Sequence, residues 1–178
     1  MIGNDVIDLK LASVESDWRR KGFLAKLFSS QEIEIILSSE TPDVAVWKLW
    51  SQKEAAYKIF NRKTGIRTFN PLYFKTSDSG NVTFGAEMVY CQSMISSDHI
   101  HTIACQNQTH FQSIIAVDYS RITKSDGLPF MERDGLIYPA TISHHGNFVK
   151  CLALVGNGFN IDLSVEKPVH RALFPNFN

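Results

Sequence analysis

Trp50-Ser51-Gln52-Lys53-Glu54-Ala55-Ala56-Tyr57-Lys58 lies inside a run from about residue 42 to residue 63 that contains no glycine and no internal proline, and the run predicts one long helix. Thr41 is the candidate cap, Pro42 suits the first turn, Asp43 complements the positive end of the helix dipole, and Gly65 suits a C-terminal stop. At about 100° per residue, Trp47, Trp50, Glu54 and Lys58 share one narrow stripe, while Leu49, Ala56 and Phe60 take the opposite face. A helix that is apolar on two sides is central in its fold, so Glu54 and Lys58 are expected to look into a covered cleft. Two readings of the pair stand side by side. It is either a plain i,i+4 ion pair worth a few tenths of a kcal/mol, or a metal-ligand carboxylate with a phosphate-binding lysine one turn on.

The start of the chain is the second informative stretch. Residues 3–9 alternate as a strand, with Gly3, Asp5, Ile7 and Leu9 on one face and Asn4, Val6 and Asp8 on the other. Asp5 then shares a face with two large apolar residues, where an unpaired carboxylate costs several kcal/mol. It is expected to meet a cation or donors there, or else to be a strand-end aspartate bonded to a turn. The missing side chain of Gly3 lets a ligand or a backbone come close.

With 178 residues, 44% hydrophobic and 11% aromatic, the chain is long enough for one globular domain with a real core. A formal charge of +0, from 18 basic and 18 acidic side chains, gives no electrostatic reason to expect nucleic acid or an acidic membrane as partner. Any anion site must be local. Cys91, Cys105 and Cys151 are odd in number and far apart, which argues against a disulfide framework or zinc site and for reducing cytosol. The sequence carries no signal-peptide pattern and no long uncharged apolar run, so a cytoplasmic protein is expected.

Residues 15–28 are expected to form a helix interrupted or bent near Gly22, carrying the densest basic cluster, Arg19, Arg20 and Lys21. Ser30 is expected to cap a further short helix in which Glu32 favours the first turn. Beyond the long helix, Arg62, Lys63 and Arg67 add positive charge near Lys58, either compensating the dipole or gathering around a diphosphate. Strands are expected at residues 72–76, 82–90, 100–105, 113–119, 136–143 and 148–155, with a loop at Lys124-Ser125-Asp126-Gly127-Leu128-Pro129. Neighbouring strand residues point to opposite faces, so His144 and His145 cannot easily ligate one ion. Residues 167–178, with two prolines, are expected to wrap the surface or to be partly disordered.

Three stretches resemble motifs of one family. Trp50 to Lys58 is similar to the W-S-x-K-E-A-x-x-K signature of the 4′-phosphopantetheinyl transferase superfamily. Ile2-Gly3-Asn4-Asp5-Val6-Ile7-Asp8-Leu9 is similar to its G-[IV]-D-[IV] strand, and Ala140-Thr141-Ile142-Ser143-His144-His145-Gly146 to its [SN]-[IL]-S-H-x-G strand. The resemblance implies an α+β 4′-phosphopantetheinyl transferase-like fold, antiparallel strands packed with a long central helix. It implies a single domain over residues 1–178, with a core at about 1–122 and additional late strands at about 135–160. In the larger, surfactin-synthetase-type members the S-H-x-G strand precedes the G-x-D strand, whereas in the short holo-acyl-carrier-protein synthases an S-H strand closes the chain. Here it comes late, yet residues 98–105 and 114–117 also sit where the short enzymes carry their closing strand pair. Both alignments stand at this level.

The activity so implied is transfer of the 4′-phosphopantetheine arm of coenzyme A to a serine hydroxyl of an apo acyl or peptidyl carrier protein, releasing 3′,5′-ADP, with Mg²⁺ as cofactor. Asp5 and Glu54 would be the magnesium ligands, with pyrophosphate and waters completing the shell. Glu54 and Lys58 would carry the catalysis, and the serine proton would pass to a metal-bound water or to Glu54 itself. Lys58 and Arg62 would meet phosphates of coenzyme A. His144 would meet its 3′-phosphate or adenosine side, or be a structural histidine in a turn. Larger members often carry a second acid two residues after the first, where Ile7 stands here, so a short-type site with two protein carboxylates is expected, with Glu32 either joining them as a third or only favouring its helix start. The basic cluster at residues 19–21 either is a solvated face or meets coenzyme A phosphates or the acidic carrier. The rival reading is a non-catalytic homologue that binds coenzyme A or a carrier protein, and the intact set Asp5, Glu54 and Lys58 argues against it.

Overall fold

A computed structural model describes residues 1–156. Strand β1 (Ile2–Asp8) leads directly into α1 (Leu9–Glu15), and two short helices, α2 (Phe23–Leu27) and α3 (Ser30–Ser38), precede α4 (Pro42–Thr64). Then come β2 (Lys75–Thr76), β3 (Val82–Phe84), β4 (Glu87–Ile95), β5 (His99–Cys105), β6 (Ile114–Ala116), β7 (Ile122–Ser125), β8 (Leu128–Arg133), β9 (Leu136–His145) and β10 (Phe148–Leu154). The strands make two antiparallel five-stranded sheets, ordered β1-β5-β4-β3-β2 and β6-β10-β9-β8-β7. This is the expected α+β arrangement around a long helix.

The long helix has the expected span, and its ends show why. Pro42 occupies the first turn and Gly65 closes the helix at φ 73°, donating its N–H to the Asn61 carbonyl. Thr41 differs from expectation. Its side chain makes no capping bond, and its backbone carbonyl accepts from Val44 and Ala45 instead. Apolar neighbours cover both the N-terminal and the C-terminal half of α4, and Trp47 and Leu49, expected on opposite faces, fall in one cluster. Val46, Trp47 and Leu49 pack with Trp18, Phe28 and Ile36, while Ala55, Ala56, Ile59 and Phe60 pack with Phe74, Phe84 and Val89. At Gly3 an added Cβ would lie 2.1 Å from the Ala55 carbonyl oxygen, so the room this glycine leaves is filled by the α4 backbone.

Several expectations are corrected. Residues 15–28 are interrupted, not bent: only α2 is helical after Gly22, while the Asp8 carboxylate caps α1 by accepting from Leu11 N–H, so that helix begins at Leu9 and is over by Glu15. Ser29, not Ser30, caps α3, in a reciprocal capping box with Glu32. The strand expected at 82–90 is broken at Gly85, whose φ of 58° turns the chain between β3 and β4. The strand expected at 72–76 keeps only β2, because Asn70 caps a 3₁₀ turn at Pro71–Tyr73. The loop expected at 124–129 is a hairpin, β7 to β8, turned by Asp126 (φ 52°) and Gly127 (φ 82°). The strands of the late sheet span Ile114 to Leu154. The tail at 167–178, and the end of the late segment near 160, lie outside the described residues.

One contact between the sheets positions everything that follows. β1 is backbone-paired with β5 along one edge. Its other edge turns Asn4, Val6 and Asp8 N–H toward β9, which answers with side chains: Thr141 Oγ1 at 3.2 Å, Ser143 Oγ at 3.0 Å and His145 Nδ1 at 2.8 Å. Alternate residues of a strand share a face, so one polar row on β9 satisfies one amide row on β1. The two candidate closing segments thus occupy different places, β5 beside β1 by backbone pairing and β9 by side-chain bridging. Among the described residues, Cys91, Cys105 and Cys151 are free thiols, and no helix is long and apolar enough to cross a membrane.

Candidate active site

Asp5 from β1, Trp47, Trp50 and Glu54 from α4, and His144 and His145 from β9 converge on one cavity of about 370 Å³. Asp5 is 8% exposed. Its Oδ1 accepts from Ser143 Oγ at 3.0 Å, while Oδ2 is buried with no hydrogen-bond partner among the described residues. The Lys58 ammonium is 3.9 Å from Oδ1.

These groups disturb one another. Burial pushes the Asp5 carboxyl above its ordinary range, opposed by the Lys58 charge and by hydrogen bonds from Ser143 and Ser51. Burial, and next the Asp5 charge, push Glu54 up to about 7, with Lys58 opposing. Burial lowers Lys58, against the pull of both carboxylates. Two carboxylates and one ammonium leave a covered cleft one positive charge short when both acids are ionised. An orphaned buried carboxylate oxygen beside a second carboxylate fits a hard divalent cation with oxygen ligands. Among the described residues no group of three or more His, Cys, Asp and Glu side chains could hold a metal ion.

The other expected site residues divide. His144 lines the same cavity from its exposed rim. Lys58 touches Asp5 but lines a different cavity, and its ammonium donates to the carbonyls of Asn4 at 2.5 Å and Ile142 at 3.0 Å, stapling β1 to β9. Arg62 does not line the cavity of Asp5 and Glu54. Its Nη2 donates to the Pro129 and Ala140 carbonyls, each at 2.7 Å, and so ties β8 and β9 to α4. Glu32, considered as a third metal carboxylate and placed as a helix-start residue, has both oxygens occupied elsewhere: Oε2 by Lys53 and Ser29 N–H, Oε1 by Thr76 N–H. Arg19 grips Asp43 through two hydrogen bonds, and Arg20 lies over the Phe23 ring.

Sequence reasoning assigned no role to Ser143, His145, Glu15 or Lys53. His145 accepts from Asp8 N–H through Nδ1 and faces Glu15 Oε2 at 3.3 Å through Nε2, at the mouth of the same cavity. The row Thr141, Ser143, His145 on one strand face was the available signal, since a polar row on an otherwise apolar strand needs partners. Lys53 is fully buried, bonded to Glu32 and to the Leu27 and Pro71 carbonyls; it is the first lysine of the W-S-x-K-E-A-x-x-K signature, but its partners left no signal in the sequence.

A family model described as ACPS: 4′-phosphopantetheinyl transferase superfamily matches residues 1–110, which takes in β1 to β5 and all four helices. The chain belongs to that superfamily. It is accordingly an enzyme, a 4′-phosphopantetheinyl transferase. No curated protein matches the chain. Among solved structures, it is similar to the holo-[acyl-carrier-protein] synthase of Neisseria meningitidis, with 18% identity, TM-score 0.47, and coverage of 58% of this chain and 94% of that one. It is similar also to the Helicobacter pylori enzyme in complex with coenzyme A (13% identity, TM-score 0.43, coverage 58% and 97%) and to that of Plasmodium yoelii (16%, 0.40, coverage 58% and 90%). The second sheet begins at Ile114, beyond the residues the family model matches.

Proposed function

We propose that the protein transfers the 4′-phosphopantetheine arm of coenzyme A to a serine hydroxyl of an apo acyl or peptidyl carrier protein, with Mg²⁺ held by Asp5 and Glu54. The observation that carries this reading is the orphaned Oδ2 of Asp5 beside a Glu54 carboxyl raised to about 7. Magnesium there would neutralise charge building on the phosphoryl oxygens. The chain's own groups do the rest. Ser143 fixes the Asp5 carboxylate through Oδ1 and leaves Oδ2 for the ligand. Lys58 holds its positive charge beside both acids, where it favours their ionised forms and attracts phosphate oxygens. Glu54, balanced near neutrality, can hold or release a proton at working pH. Trp47 and Trp50 supply an apolar wall that excludes water from the charged end of the cleft. His144, at the rim of the cavity, would meet the nucleotide side of coenzyme A.

The test is intact-protein mass spectrometry of apo carrier proteins incubated with this enzyme, coenzyme A and Mg²⁺, beside an EDTA control. A metal-dependent gain of one phosphopantetheine unit is the expected result. Coenzyme A binding without a gain on any carrier would favour the non-catalytic homologue.

A further inference from the structure

Past Pro139, strand β9 is no longer paired with β8, and its end from Ala140 to His145 keeps β10 as its strand neighbour. Side chains hold the other edge of that end. Arg62 and Lys58 donate to the Ala140 and Ile142 carbonyls, while Thr141, Ser143 and His145 accept from amides of β1. His145 is the last of these ties, and together with Glu15 it lines the cavity of Asp5 and Glu54.

The protons on the His145 ring are fixed by its partners. An amide N–H can only donate, so Nδ1, at 2.8 Å from the Asp8 nitrogen, carries no proton. The neutral ring then holds its proton at Nε2, where Glu15 Oε2 accepts it at 3.3 Å. One imidazole thus joins β1, β9 and the last residue of α1. The turn that follows is tied to the same place, since the Asp8 carboxylate accepts from Asn147 N–H as well as from Leu11 N–H.

His144 stands between two pinned neighbours. Its own side chain is exposed, and it makes no hydrogen bond or ion pair among the described residues. Alternation along the strand turns it away from the row that faces β1. Its place is therefore set by its backbone, which Ser143 holds on one side and His145 on the other.

We propose that His145 is a positioning residue for coenzyme A binding: through the Asp8 amide it holds His144 at the cavity rim, and Glu15 orients its ring. The inference rests on the reading that His144 meets the nucleotide side of coenzyme A. Glu15 lies outside all three family-like motifs, and His145 falls at the variable position of the last one. Both act through His144.

The experiment titrates coenzyme A into the full-length protein in MgCl₂, read by calorimetry, with KM and kcat for transfer measured beside it. His145→Leu should weaken binding about 10-fold and raise KM by more than it lowers kcat. Glu15→Ala, which leaves the Asp8 bond in place and serves if His145→Leu does not fold, should weaken it about 3-fold. Glu15→Gln keeps an oxygen for the Nε2 proton and should recover most of that loss. In a His144→Ala background neither change should weaken binding further. Losses that add in full to that of His144→Ala would overturn the inference while leaving His144 its contact. Unchanged binding in His144→Ala would remove the contact itself, and with it both the reading and the inference. Nitrogen-15 spectra of the ring provide a check that needs no coenzyme A. At about pH 8 a proton on Nε2 alone is expected, and a proton on Nδ1 would overturn the arrangement.

Discussion

The Ser143 hydroxyl donates to Asp5 Oδ1 at 3.0 Å, and its oxygen accepts from Val6 N–H, also at 3.0 Å. One side chain of the late sheet thus fixes the buried Asp5 carboxylate of the first strand and satisfies that strand's free edge. Ser143→Ala leaves a buried amide without an acceptor and takes a hydrogen bond from a buried carboxylate, which should cost about 1–3 kcal/mol. It should also raise the Asp5 carboxyl further, because the Ser143 bond is among the influences lowering it. Urea unfolding of the variant checks the first effect, and a shift of Mg²⁺-dependent stabilisation to higher pH checks the second. A variant as stable as the parent would show that the bridge between β1 and β9 carries no energy.

Asp5→Asn and Glu54→Gln should each lower turnover by at least about 100-fold, a loss of about 3 kcal/mol of transition-state stabilisation. Neither should unfold the protein. Each removes a charge that burial disfavours, so the metal-free melting temperature should hold or rise while the Mg²⁺-induced increment vanishes. Paired melts with and without MgCl₂ and single-turnover rates make the comparison, and unimpaired turnover in either variant would refute the metal assignment.

The long helix and the strand of Asp5 were legible because each is a local pattern: a glycine-free amphipathic run ended by Gly65, and a period-2 alternation at residues 3–9. The convergence of Asp5, Glu54 and His144 on one cavity follows from those patterns together with the resemblance. The partners of Lys58 and Arg62 were not legible. Both cations answer backbone carbonyls of Asn4, Ile142, Pro129 and Ala140, and carbonyls have no signature in side-chain spacing. The β7–β8 hairpin was missed for a related reason. Strands of four and six residues carrying Lys124, Ser125 and Pro129 give too little alternation to separate them from a loop, although the Asp126-Gly127 turn was visible.

Lys53 and Glu32 form an ion pair at 2.8 Å with side chains 0% and 1% exposed, immediately beside Glu54 in sequence. Lys53→Met strands the Glu32 charge and unbinds the Leu27 and Pro71 carbonyls, so a loss of about 3–5 kcal/mol is expected. Adding Glu32→Gln to that variant removes the stranded charge while keeping an oxygen for Thr76 N–H, and should recover part of the loss. A double-mutant cycle by denaturant unfolding measures the coupling. Strict additivity of the two changes would mean that the pair is not energetically linked.

Glu54 also sets a sign for the pH dependence of stability. Its carboxyl is raised from 4.5 to about 7 in the folded chain, so between those pH values the folded state binds more protons than the unfolded one. The stability it contributes is fully present below about pH 4.5 and is lost as pH rises through about 7, amounting to about 3 kcal/mol at most, at about 1.4 kcal/mol per pH unit. Asp5, raised by the same burial, adds to the slope. Mg²⁺ should reverse it, because a cation binds the ionised carboxylates, so its stabilising effect should grow as pH climbs toward 7 and level off above. Urea unfolding from pH 5 to 8, in EDTA and in MgCl₂, would follow both curves, and Glu54→Gln should flatten each. If the variant kept the parent's full slope in EDTA, the titrating group would lie elsewhere and Glu54 would lose its place in the charge balance of the site.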